Sequence, residues 1–206
     1  LIFSLFLIQK FDNQQVAISM IASTSLIFLV ALKDDLVTVR PSIKIITEIF
    51  SIIVLMYFTD FPVIDFHGFL GLNQLPLPVS YLIVLIGMLG IINSYNLIDG
   101  IDGLAAIIAI IIFSSFGLMF FVAGGLWFYV LICCSFVGML GAFLIYNFSN
   151  KNKIFMGDTG SLIIGFFIAI CSIKFLEMDA LSLASFSFLP EKYFLYFITY
   201  FMDSSF

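Results

Sequence analysis

Apolar residues run along this chain in blocks about as long as a bilayer is thick, broken by short polar segments. A hydrocarbon core about 30 Å thick takes roughly 20 residues of helix. That ruler predicts membrane-spanning helices at 16–32, 43–58, 79–98, 104–122, 127–146, 161–177 and 192–203. Residues 1–8 read as the remnant of a preceding span, and the chain as a fragment of a longer protein, truncated at both ends. No stretch between the blocks is polar enough for a separate soluble domain, and no repeat of fixed period is visible. The expected architecture is all-α, a polytopic transmembrane helical bundle of about seven spans forming one membrane domain over 1–206.

Composition points the same way. The chain is 63% hydrophobic and 10% charged, with a mean hydropathy of +1.22, whereas soluble domains are about half apolar and a quarter charged. A net charge of −5 argues against nucleic acid as a partner, which needs a basic face. Cys133, Cys134 and Cys171 lie in apolar runs without metal-ligand or disulfide spacing, and read as small buried or lipid-facing residues.

Because each span reverses the side of the membrane, the connecting segments fall into two sets. Lys33, Arg40, Lys44, Lys151 and Lys153 belong to the set 33–42, 99–103 and 147–160, with whatever follows 203. Only Lys10 and Lys192 belong clearly to the other, with Lys174 near it. The excess of basic residues assigns the first set to the cytoplasm. Asp34, Asp35, Asp99, Asp102, Asp158 and Asp203 share that face. Asp12, Asp60, Asp65, Glu177, Asp179 and Glu191 fall on the opposite one and read as solvated loop charges, as His67, the only histidine, reads as a surface residue.

Three segments on the cytoplasmic face carry chemistry. Lys33-Asp34-Asp35 closes the first span; adjacent acids repel unless a cation or solvent offsets them, and they suit a helix C-terminus poorly. In Asn93-Ser94-Tyr95-Asn96-Leu97-Ile98-Asp99-Gly100-Ile101-Asp102-Gly103-Leu104, Asn93, Asn96 and Asp99 are three apart and share roughly one helix face. Asp102 would either face a ligand or cap the span that follows. Phe155-Met156-Gly157-Asp158-Thr159-Gly160-Ser161 opens another span; Thr159 or Ser161 would cap it, leaving free N–H groups for an anion. Asp158 beside them would repel a phosphate unless a divalent cation bridged the two. Carboxylates, glycine turns and a helix N-terminus on one face suit a Mg²⁺-bound diphosphate attacked by a lipid phosphate.

These segments, in this order, resemble the polyprenyl-phosphate N-acetylhexosamine-1-phosphate transferase family, which includes phospho-MurNAc-pentapeptide transferase. Ile98-Asp99-Gly100-Ile101-Asp102-Gly103 and Lys153-Ile154-Phe155-Met156-Gly157-Asp158 are closer to its undecaprenyl-phosphate GlcNAc-1-phosphate branch. The resemblance implies a multi-pass enzyme of the bacterial inner membrane, its active site facing the cytoplasm. It would join UDP-GlcNAc to undecaprenyl or another polyprenyl phosphate, release UMP and start a cell-envelope glycan such as lipopolysaccharide. By the same resemblance Asp158 is the metal position, for Mg²⁺ with Mn²⁺ as an alternative, and Asp34 and Asp35 are the catalytic pair, acting on the lipid phosphate or helping to hold the metal. Asn93, Asn96, Asp99, Asp102, Gly157, Thr159, Gly160 and Ser161 form the substrate side. Lys44 and Lys151 read as solvated lysines near the membrane, with phosphate contact as the other option, and a homodimer is left open. The family's further helices and its cytoplasmic histidine loop would lie outside 1–206, so the fragment alone is expected to be inactive or severely impaired. A cation-coupled transporter is the competing class, since acids within the bilayer also mark ion paths, but Glu48 alone lies clearly inside a span. An inactive membrane fragment or scaffold is the third.

Overall fold

A computed structural model of the chain describes residues 14–59, 76–123 and 126–178. Among these the structure is all helical: α1 (Gln14–Leu36), α2 (Pro41–Phe58), α3 (Leu77–Ile98), α4 (Leu104–Val122), α5 (Trp127–Asn147) and α6 (Gly157–Glu177). All six are long and apolar enough to cross a membrane. The span expected at 192–203 lies outside the described residues. So do Lys10, Asp12, Asp60, Asp65, His67, Asp179, Glu191, Lys192 and Asp203.

Each predicted block within the described residues became one helix, and all but α4 outrun their apolar windows. α1 continues through Asp34 and Asp35 to Leu36, and α6 begins at Gly157, a turn before the expected 161. A hydropathy window stops at the first charge, whereas a helix continues while its backbone groups find partners.

α6 is the centre of the bundle. It packs against α1, α3 and α4, while α1 pairs with α2 and α4 with α5. Ile164, Phe166, Ala169, Ile170 and Cys171 of α6 are buried. Gly165 lets α6 approach α3 closely: a Cβ there would stand 3.1 Å from the Ile92 Cα. Phe113 of α4, Phe136 of α5 and Phe167 of α6 form a continuous ring contact, with centroids 4.6 and 4.7 Å apart. Large apolar side chains such as Ile46, Ile86, Ile111 and Leu118 point outward, as lipid allows. In that solvent, burial of apolar surface adds little drive, and close packing between helices holds the bundle.

Helix alternation gathers one set of ends together: the C-termini of α1, α3 and α5 with the N-termini of α2, α4 and α6. Every polar segment singled out above lies at this end.

Candidate functional site at one end of the bundle

The site is built on the first turn of α6. Gly157 precedes Asp158 at φ +65°, and a Cβ there would sit 3.0 Å from a carboxylate oxygen of Asp35. Glycine's freedom at positive φ and its missing side chain therefore let Asp35 reach the helix. Asp35 Oδ1 accepts from the Asp158 N–H at 2.9 Å; Oδ2 accepts from the Thr159 N–H at 3.0 Å and the Thr159 hydroxyl at 2.5 Å. A side chain of α1 thus caps α6, and its negative charge sits at the positive end of the helix dipole. This corrects the expectation of a self-capped helix with free N–H groups, because Asp35 already occupies two of them.

Asp158 is the meeting point. Its Oδ1 accepts from Asn96 Nδ2 at 3.0 Å, and its Oδ2 from Lys44 Nζ at 2.5 Å. Lys44 also lies 3.4 Å from Asp34 Oδ2, while Asp34 Oδ1 accepts from the Val39 N–H at 2.7 Å. Asn96 Nδ2 donates further to Ser161 Oγ at 2.7 Å, and that hydroxyl donates to the Gly157 carbonyl at 3.0 Å. Side chains from α1, α2, α3 and α6 thus converge within one hydrogen-bonded group. Lys44 is part of it and not a solvated lysine.

A cavity of about 260 Å³ opens beside Asp158, lined also by Asn96, Asp99, Asp102, Asn147, Phe155 and Gly157. Asp99 ends α3. Burial first, and then the negative charge of Asp158, push its carboxyl above the ordinary carboxylate range. Asp102 pairs with Lys153. It does not cap α4, whose N-cap residue is Gly103 at φ +74° and which receives no side-chain cap. Gly103 is required there, since a Cβ would run into the Phe148 ring. Gly160 lies in the first turn of α6, where a Cβ would meet only the Met156 side chain among groups beyond its neighbours. Lys151 is exposed in the loop before α6.

Two residues depart from the sequence reading. Asn93 does not line this cavity. It lies a turn deeper and donates to Glu48 Oε2 at 2.6 Å and to the Leu89 carbonyl at 2.9 Å. Glu48, 1% exposed, is the acid inside a span, and the contact ties α2 to α3. Asn147 was not foreseen. Its Nδ2 donates to the Ile154 carbonyl at 2.9 Å, and its buried Oδ1 lacks a protein partner while lining the cavity. The only sequence signal was a lone amide closing an apolar helix.

Among the described residues no three His, Cys, Asp or Glu side chains come together as a metal-holding group. The donor chemistry nevertheless fits a hard cation of the Mg²⁺ kind, which takes one or two carboxylates and fills its remaining positions with water and substrate phosphates. Asp158 and Asp99 face the same cavity, and the charge of Asp158 disfavours that of Asp99.

Fold and site define a multi-pass membrane protein with an acidic, amide-rich centre at one end of its bundle. Residues 17–176 match the model of glycosyl transferase family 4, so the chain belongs to that family and is a glycosyl-phosphate transferase. No curated protein matches the chain.

Proposed function

We propose that this protein transfers GlcNAc-1-phosphate from UDP-GlcNAc to undecaprenyl phosphate at the cytoplasmic face of a bacterial inner membrane, with Mg²⁺ held at Asp158. The observation that carries the reading is the convergence of Asp34, Lys44, Asn96 and Asp158 beside a cavity containing Asp99, Asp102 and Asn147. A polar centre at the ends of membrane helices suits one substrate from water and one from lipid. A second, apolar hollow of about 430 Å³ supports the lipid half: it runs along α3, α4 and α6 from Gly87 to Ile98, next to Asp99.

In the proposed reaction an oxygen of the lipid phosphate attacks the donor phosphorus that carries the sugar. The bond from that phosphorus to the bridging oxygen breaks, UMP leaves with the electron pair, and a lipid diphospho-sugar forms. Such displacement asks the protein for alignment and charge neutralisation more than covalent chemistry. A bound Mg²⁺ would supply Lewis-acid neutralisation of the diphosphate. In this reading Asp34 takes the last proton of a monoprotonated lipid phosphate, a modest task because that proton leaves near pH 6. Asp35 holds the α6 turn that carries Asp158, and Asn96 fixes the orientation of the Asp158 carboxylate. Asn147 Oδ1, its amide nitrogen already committed, offers an oriented acceptor to an N–H or hydroxyl of the nucleoside. The small cavity fits that part of the donor and not the whole molecule.

The test is the identity of the released nucleotide. Protein purified in detergent and given UDP-GlcNAc with undecaprenyl phosphate is expected to release UMP. Release of UDP would mean that sugar moved without its phosphate, and would overturn the proposed chemistry.

A further inference from the structure

Lys44 stands where a second cation would be wanted. Its ammonium lies 2.5 Å from Asp158 Oδ2 and 3.4 Å from Asp34 Oδ2, and its side chain is 18% exposed. The other Asp158 oxygen already accepts from Asn96. An incoming divalent cation therefore meets either an amide donor or a positive charge on each oxygen of that carboxylate. We propose that Lys44 is the resident counter-cation of this site: it holds Asp158 while no divalent cation is bound, and passes to a substrate phosphate when one takes its position. The inference rests on the reading of Asp158 as the metal carboxylate.

Three observations support the exchange. Asp34, Asp35, Asp99 and Asp158 crowd one end of the bundle, where a cation offsets their mutual repulsion. Lysine is suited to the duty, since its ammonium is a compact point charge on a flexible four-carbon stem that can turn between partners. Its root lies in the first turn of α2, at the same end as the cavity, so a short swing keeps the ammonium within the site. Asp34 can retain the ammonium from one side while Asp158 gives it up on the other.

The exchange makes a reciprocal demand: removing the resident charge must tighten metal binding even as it removes a phosphate contact. Mn²⁺ titrated into the detergent-purified protein at low ionic strength, without nucleotide or lipid, reads this directly through the resonance of the free ion. Lys44→Met is expected to bind Mn²⁺ roughly ten-fold more tightly than wild type, from the loss of a like charge a few ångströms away. Lys44→Arg, which keeps the charge, is expected to stay near wild type. Binding by folded Lys44→Met that is equal to or weaker than wild type overturns the proposal alone. Absence of Mn²⁺ binding in all three proteins overturns the metal reading of Asp158 as well.

Should Lys44→Met fail to fold, wild type decides the matter. Acylation of Lys44 by an amine-directed reagent, followed by mass spectrometry, is expected to quicken several-fold with saturating Mg²⁺ while Lys33 and Lys151 stay constant. An unchanged or slower rate at Lys44 overturns the exchange.

Discussion

Asp99 shows how single residues set the pH behaviour of the site. Its folded-state pKa is raised by burial and by Asp158, so the native state binds the proton more readily than the unfolded chain. Stability linked to this group is present below the ordinary carboxylate pKa and is lost as pH rises through the raised value. Asp99→Asn removes that loss. In metal-free buffer the melting temperature of the variant is expected to gain on wild type from acid to neutral pH, and added Mg²⁺ is expected to narrow the difference. A difference that stays constant across pH would contradict the electrostatic account of this residue. At this scale the sequence was legible wherever a side chain announced itself by type and company, as Asp34, Asp99 and Asp158 do. It was not legible where a partner lies far along the chain. Lys44 meets Asp158 across 114 residues and Asn93 meets Glu48 across 45, so neither local pattern nor helical spacing could report these contacts. Asn147 is plainer still, since an unpaired oxygen is a property of its surroundings.

The elements were legible from hydropathy because lipid demands uninterrupted apolar length, and α4, the most apolar helix, begins and ends at the expected residues, Leu104 and Val122. The start of α6 was misjudged for an identifiable reason. A local reading looks for its cap among Thr159 and Ser161, whereas the acceptor arrives from α1 as Asp35, 123 positions earlier than the first amide it receives. Ser161 instead bonds back to the Gly157 carbonyl and is met by Asn96. Losing an N-cap acceptor costs about 1 to 2 kcal/mol, with a smaller charge–dipole component. Asp35→Ala is therefore expected to lower thermal stability in detergent. Asp35→Asn, which keeps one acceptor oxygen, is expected to recover the hydrogen-bonded part of the loss. Equal melting of Asp35→Ala and wild type would show that α6 does not depend on this cap.

For the whole molecule, the helix order that gathers Asp34, Asn96, Asp102 and Asp158 at one end also gathers Lys33, Arg40, Lys44, Lys151 and Lys153 there; at the opposite end the described residues contribute Lys174. That asymmetry supports the proposed cytoplasmic placement of the site. Asn150→Cys, in the exposed loop before α6, is expected to resist an impermeant thiol reagent in intact cells and to react once the membrane is opened. Reaction from outside would invert the protein in the bilayer and separate the site from a cytoplasmic nucleotide sugar. The bundle as a whole followed from pattern and composition, whereas the convergence of four helices on Asp158 needed three dimensions.

The most direct measurement is UMP release from UDP-GlcNAc by wild type and Asp158→Asn, with and without undecaprenyl phosphate and Mg²⁺. The expected result is release by wild type that requires both lipid and metal, and a loss of at least about 100-fold in the variant, since metal-assisted charge neutralisation is worth several kcal/mol of barrier. Folded, Mg²⁺-binding wild type that releases no UMP from any UDP-N-acetylhexosamine, or an Asp158→Asn variant that turns over normally, would contradict the assignment of this site as the centre of sugar-phosphate transfer.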